Sequence, residues 1–377
     1  MSLGQRAFGL LPDPVRHRLV DFAMASALGR ARMGMLVRSL EALGCDRFAL
    51  DELLKSVRHL DDAPITAAAA AERWADRGCD ALAAGHRASG ATYLQQATLF
   101  YALADWLADG AFKRANFAAL MATADRMRSL EAVPTRRVTV AGCPAYWRAP
   151  ANGANGCVVI VQGTNSSKDL FFSLEQMLVA RGLAVLNIDQ PGTGESLLLG
   201  QHMRQLDDLR PIADGVFNFL AGEPGMRDAR VGVFGFSLGG FIAPAMCALD
   251  RRFGACAMVA TGLGVDAALL DALPPQLKAR AMGVAGASTW DEARHIGARA
   301  LNLAPLASAL VCPVRAFHGG RDTILPVRGA RALYAAIGSV DKQLTVVAGG
   351  DHTCSTTLRS RVLPELFDWL ADTLTGA

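Results

Sequence analysis

Short runs that are apolar at nearly every position recur through the second two-thirds of the chain. They are Cys157-Val158-Val159-Ile160-Val161, Ala184-Val185-Leu186-Asn187-Ile188, Val231-Gly232-Val233-Phe234 and Cys256-Ala257-Met258-Val259-Ala260-Thr261. Runs this short, without polar alternation, predict strands buried on both faces, as in a parallel sheet. Helical stretches such as Leu174 to Arg181 and Leu206 to Leu220 separate them, which predicts helices on both sides of the sheet. Arg137 to Val140 and Ala145 to Arg148, joined through Ala141-Gly142-Cys143-Pro144, predict a short antiparallel start.

Before residue 135 the pattern changes. Pro64 to Leu82, Ala91 to Leu107 and Ala111 to Leu130 are rich in alanine, leucine and arginine and read as long helices. The expected organisation is therefore an α/β fold with a mostly parallel sheet over residues 135–377, preceded by an N-terminal helical cap over residues 1–134. A helical insertion is expected at about 265–309, where Ser288 or Thr289 would cap a helix carrying Asp291 and Glu292 in its first turn. Two helical blocks beside one sheet imply an enclosed site for a small molecule, with Phe171, Phe172 and Met177 as lining candidates.

Candidate chemistry sits at the strand ends. Gly235-Phe236-Ser237-Leu238-Gly239-Gly240 follows a strand and opens a helix, the pattern of a strained turn that presents a serine Oγ. The segment from Val311 runs as a strand into Gly319-Gly320-Arg321-Asp322, and Gln343 to Val347 leads through Gly349-Gly350-Asp351 to His352. Ser237, Asp322 and His352 thus follow three strands in the order nucleophile, acid, base. The Leu238 amide is the expected first oxyanion donor. The second comes from the turn after Val161, where Thr164 is preferred over Asn165, with Ser166 and Lys168 as candidate substrate contacts. The alternative for Lys168 and Asp169 is a solvent-exposed pair at a helix start.

Composition narrows the class. Lysine and arginine total 38 against 35 acidic residues, a net charge of +3 without clustering, which argues against a nucleic-acid partner. The eight cysteines form no CxxC and no Cys/His cluster, so reduced thiols in a cytoplasmic protein are expected. The seven histidines give no HxxxH or HExxH spacing, and neither a metal nor an organic cofactor is expected. His318, just before Asp322, reads as a strand-end histidine bonded to backbone. The N-terminal stretch is broken by Asp13, Arg16, His17, Arg18 and Asp21, unlike a signal peptide, and no window is apolar enough to span a membrane. In Asp189-Gln190-Pro191-Gly192-Thr193-Gly194-Glu195-Ser196, leucine at 197 stands where a third glycine would complete a dinucleotide fingerprint, so a rigid loop beneath the site is the reading.

The 189–196 stretch, the serine turn, Gly319-Gly320-Arg321-Asp322 and Gly350-Asp351-His352 resemble the α/β-hydrolase superfamily over about residues 135–374. The helical prelude with Gly163-Thr164-Asn165-Ser166-Ser167-Lys168-Asp169 is similar to its FrsA-like branch. That resemblance implies a serine hydrolase acting on a carbon–carbon bond beside a carbonyl, as in a diketone or polyketide-like compound, or on an ester, and it implies a homodimer. A branch member carries an auxiliary glutamate after the strand that follows the nucleophile helix; here that stretch, Thr261 to Leu270, offers Asp266 and no glutamate. Two rival readings stand beside it: an acyltransferase or cyclase with the same triad, and a non-catalytic binding module that keeps a hydrolase shell.

Overall fold

The computed structural model describes residues 34–375 apart from 58, 60–61, 109 and 274. The expectation drawn from the segment up to Asp21 lies outside these residues. The described residues divide into two compact units: those from Gly34 to Thr135 together with Asp169–Ser173, and Arg136–Lys168 together with those from Leu174 onward.

The first unit is helical, with α1 (Gly34–Ala42), α2 (Arg47–Ser56), α3 (Ala63–Ala83), α4 (Arg87–Leu107) and α5 (Gly110–Arg128). Asp46 caps α2 by accepting the Ala49 amide at 2.7 Å, which satisfies a donor the helix itself cannot. Buried Gln96 of α4 ties down the turn before α2, accepting from the Asp46 amide at 2.8 Å and donating to the Gly44 carbonyl at 2.9 Å. Phe172 packs with Leu94 and Met127 in this unit, and the Arg128 guanidinium lies 5.2 Å from its ring centroid. Phe172 is therefore part of the core of the helical unit.

The second unit is built on β1 (Arg136–Val140), β2 (Cys143–Arg148), β3 (Gly156–Val161), β4 (Leu183–Ile188), β5 (Val231–Phe236), β6 (Phe253–Val259), β7 (Val314–Gly319) and β8 (Lys342–Val347). They form one eight-stranded sheet in the order β1-β2-β4-β3-β5-β6-β7-β8. β1 and β2 pair antiparallel, as do β2 and β4, and every later pairing is parallel. Every residue of β2, β3, β4 and β5 is buried, which is why β3, β4 and β5 read as nearly continuous apolar runs.

The connecting helices are α6 (Phe172–Val179), α7 (Gly194–Leu198), α8 (Arg210–Gly222), α9 (Gly239–Leu249), α10 (Ala267–Asp271), α11 (Pro275–Ala285), α12 (Trp290–Ala300), α13 (Val327–Ala336) and α14 (Leu363–Thr375). The helix expected from Leu206 begins instead at Arg210, after a 3-10 turn, because Pro211 favours the first turn of a helix. The strand expected from Val311 starts at Val314, beyond Pro313, which has no amide for the ladder. α10 to α12 occupy the expected insertion, and Thr289 caps α12 by accepting the Glu292 amide. All eight cysteines are free thiols. No helix among the described residues is long and apolar enough to cross a membrane.

Candidate active site

Ser237 follows β5, Asp322 follows β7 and His352 follows β8, so all three stand at the carboxyl edge of the parallel strands, where α/β sheets place their ligand crevice. At Ser237 the chain turns sharply from β5 into α9. The backbone φ there is +54°, in the left-handed region that L residues other than glycine rarely occupy. The flanking glycines permit this turn. A Cβ at 235 would lie 2.3 Å from the Gly239 carbonyl oxygen, and one at 239 would lie 2.5 Å from that of Val161. The Ser237 amide donates to the Val259 carbonyl at 3.0 Å, which fixes the turn against β6.

A second close approach joins the acid to the base. A Cβ at Gly319 would fall 1.9 Å from the Asp351 carbonyl oxygen, and the Arg321 amide donates to the Gly350 carbonyl at 2.9 Å. The turns after β7 and β8 are thereby held together. The Asp351 carboxylate braces the far side of the histidine loop by accepting the Ser355 amide at 2.7 Å and the Ser355 hydroxyl at 2.5 Å.

The result is a chain of hydrogen bonds. His352 Nδ1 lies 2.8 Å from Asp322 Oδ2, and Nε2 lies 2.8 Å from Ser237 Oγ. The Asp322 side chain is fully buried, and its other oxygen, Oδ1, accepts the amides of Ile324 and Leu325, both at 2.8 Å. With a carboxylate on Nδ1, that nitrogen carries the proton and Nε2 is left to accept from the serine hydroxyl. This arrangement can withdraw the Ser237 proton and steady the imidazolium that results.

His318 lies wholly buried behind Asp322. Its Nδ1 accepts the Thr261 amide at 3.3 Å and its Nε2 donates to the Leu325 carbonyl at 2.8 Å. Burial lowers its pKa, outweighing the opposing pull of the Leu325 carbonyl and Asp322. Cys354, also buried, has its thiol pushed up to about 12 by burial and by the nearby Asp351 and Asp322, so it stays protonated.

On the oxyanion side, neither the Leu238 nor the Thr164 amide donates to any group among the described residues. A Cβ built on Gly163 would lie 3.8 Å from Ser237 Cβ, so the loop after β3 runs directly beside the nucleophile turn. Ser166 Oγ accepts the Gly163 amide at 2.8 Å, which commits that hydroxyl to shaping the loop. Asn165 Oδ1 is buried without a hydrogen-bond partner.

Two candidate contacts are placed elsewhere. Lys168 is fully buried, its ammonium 3.2 Å from Asp189 Oδ2 and 2.7 Å from Glu195 Oε2, so it serves the interior as a structural cation. Asp169 is buried too, which removes the exposed-pair alternative. Asp266 is exposed and spends its side chain capping α10, accepting the Leu269 amide at 2.7 Å. Sequence reasoning missed Gln162, Asn187 and Gln190, all completely buried under the loop. A polar residue inside an apolar run, such as Asn187 in β4, was the available signal. Among the described residues, no group of histidine, cysteine or carboxylate side chains is arranged to hold a metal ion.

The family profile "Serine aminopeptidase, S33" matches residues 152–290, a stretch that contains Ser237 and ends before Asp322 and His352. The 2,6-dihydropseudooxynicotine hydrolase of Paenarthrobacter nicotinovorans is 30% identical over 234 residues, a match that spans 61% of each chain. The solved structure of 2,6-dihydroxy-pseudo-oxynicotine hydrolase superposes with a TM-score of 0.79 at 24% identity, covering 90% of this chain and 96% of its own. AbyA5 shares the fold at a TM-score of 0.63 and 17% identity, over 81% of this chain and 89% of its own. The chain thus resembles 2,6-dihydropseudooxynicotine hydrolase over the stretch the two share, and it has the fold of the solved 2,6-dihydroxy-pseudo-oxynicotine hydrolase.

Proposed function

We propose that the protein is a serine hydrolase acting through an acyl-enzyme on a small carbonyl compound, with Ser237, His352 and Asp322 as its triad. The observation that carries this reading is His352, whose two ring nitrogens stand 2.8 Å from Ser237 Oγ and 2.8 Å from Asp322 Oδ2. Ser237 Oγ attacks the carbonyl carbon while its proton passes to His352 Nε2. The negative charge on the carbonyl oxygen is met by the Leu238 and Thr164 amides. His352 then gives the proton to the leaving group, which is the alcohol of an ester or the enolate carbon of a cleaved diketone. Water attacks the acyl-enzyme, one of its protons passing through His352 back to Ser237.

The scissile bond is read as a carbon–carbon bond beside a carbonyl, or an ester. The relative named as a 2,6-dihydropseudooxynicotine hydrolase supports a small-molecule substrate. Aryl esters, thioesters and β-diketones offered to the protein, with products identified by mass spectrometry, test the choice. Diketone cleavage that disappears in Ser237→Ala supports the carbon–carbon reading, and ester-only turnover replaces it with the esterase reading. Product esters formed with added alcohols mark an acyltransferase. A fluorophosphonate that fails to label Ser237 in folded protein leaves the binding-module reading in its place. The same proposal takes the protein as a cytoplasmic homodimer that needs no metal. Sedimentation equilibrium tests the dimer, and activity after exhaustive chelation tests the metal.

A further inference from the structure

The loop that offers the Thr164 amide is held from below at both ends by one short segment, Asp189-Gln190. At its start, the Gln162 amide donates to Gln190 Oε1 at 2.8 Å and Gln190 Nε2 donates to the Gln162 carbonyl at 2.9 Å. These two bonds run in opposite directions, so one carboxamide continues the pairing of β3 beyond its last strand residue. At the loop's end, the Lys168 amide donates to Asp189 Oδ1 at 2.7 Å. Between the two anchors Ser166 bonds within the loop, its hydroxyl to the Gly163 amide at 2.8 Å and the Gly163 carbonyl at 3.2 Å.

Gln190 is completely buried and follows β4, away from the hydrogen-bond chain of Ser237, His352 and Asp322. It reaches no group of that chain. Its two bonds end on the residue that precedes Gly163, and the Thr164 amide follows one peptide later. The strand partner of β3 on this side stops at Ile188, so beyond Val161 the backbone amide and carbonyl of Gln162 are paired by this side chain, while the Gln162 side chain is itself held by Asn187 Oδ1 at 2.5 Å and the Ile188 carbonyl at 3.2 Å.

We propose that Gln190 is a positioning residue for catalysis: its carboxamide clamps Gln162 and thereby aims the Thr164 amide at the oxyanion. This rests on the triad reading given above. A donor worth about a hundredfold or more in kcat when removed loses much of that when its direction drifts, because the bond strengthens only as charge develops on the oxygen. Ground-state binding is nearly indifferent to the same drift.

The test uses Gln190→Met, which keeps the bulk and loses both bonds, with kcat and KM measured on an activated aryl ester that the parent turns over. The affinity of an aryl trifluoromethyl ketone, which forms a tetrahedral adduct with the serine, is measured alongside. The expected result is a fall in kcat of about tenfold to a hundredfold, KM within about twofold, and weaker ketone binding by a similar factor. A folded variant with kcat within twofold of the parent, or with reduced kcat and unchanged ketone affinity, overturns the proposal. Gln190→Glu decides if the methionine variant does not fold. A carboxylate there repels the Gln162 carbonyl and a protonated carboxyl donates to it, so kcat relative to the parent should rise as the pH is lowered from 9 to 6. A ratio that does not change with pH overturns the proposal. Fluorophosphonate labelling of the parent that persists in Ser237→Ala would instead remove the triad reading, independently of Gln190.

Discussion

Asp322 turns one carboxylate oxygen toward His352 Nδ1 at 2.8 Å and commits the other to the amides of Ile324 and Leu325, so its two oxygens are not interchangeable. The side chain cannot rotate without giving up two backbone amides at 2.8 Å.

That asymmetry predicts the behaviour of Asp322→Asn. The carboxamide oxygen goes to the two amides, which places the NH2 group against His352 Nδ1. The histidine must then accept at Nδ1 and carry its proton on Nε2, where it cannot take one from Ser237. The expected result is a loss in kcat of about 10³ to 10⁴ with near-parental stability, read by steady-state kinetics and urea denaturation. Retention of more than a tenth of parental kcat would contradict the assigned roles.

Gly319→Ala is expected to cost several kcal/mol, because the new Cβ would meet the Asp351 carbonyl oxygen at 1.9 Å and backbone must move. Activity should fall further than stability accounts for, since the displaced turns carry both acid and base. Denaturation midpoints, with activity measured where the variant is fully folded, separate the two effects.

His318 makes stability depend on pH. Its folded pKa lies below the usual histidine value, so above about pH 6.5 both folded and unfolded states are neutral there. As the pH falls below that value the unfolded chain takes up a proton that the folded chain refuses, and the stability present at neutral pH is lost. His318→Gln should therefore lose less stability than the parent between pH 7.5 and pH 5. Equal losses in urea midpoints over that interval would rule this out.

Lys168→Met removes a fully buried cation from two carboxylates. Glu195 keeps Arg137, but leaving the fully buried Asp189 without that cation is expected to cost about 3–5 kcal/mol, against less than about 1 kcal/mol for exposed Arg361→Met, whose partner Glu365 is solvated. Chemical denaturation of both variants reads the contrast.

The strands and the Ser237, Asp322 and His352 positions were legible because each depends on local wording: an apolar run, a glycine turn, a short spacing. The sheet order was less so. β4 lies between β2 and β3, a matter of long-range pairing that no local pattern encodes. Lys168 misled because a charged residue in a loop reads as exposed, and its burial depends on Asp189 and Glu195, 21 and 27 residues further along the chain. Asp266 was read for chemistry, although an acid three residues before a helical amide is as well suited to capping. The Gln162–Gln190 pair was invisible because glutamine carries no charge, spacing or turn signal that distinguishes a clamp from a solvated side chain.

The left-handed backbone at Ser237 sets protein durability against catalysis. Glycine adopts that conformation without the steric penalty, which for an L side chain is about 1–2 kcal/mol. A library ranked only by resistance to heat would therefore tend to enrich chains that have lost the nucleophile. Any programme that hardens this protein has to score turnover in the same round, or it will select a stable fold with nothing left to attack a carbonyl.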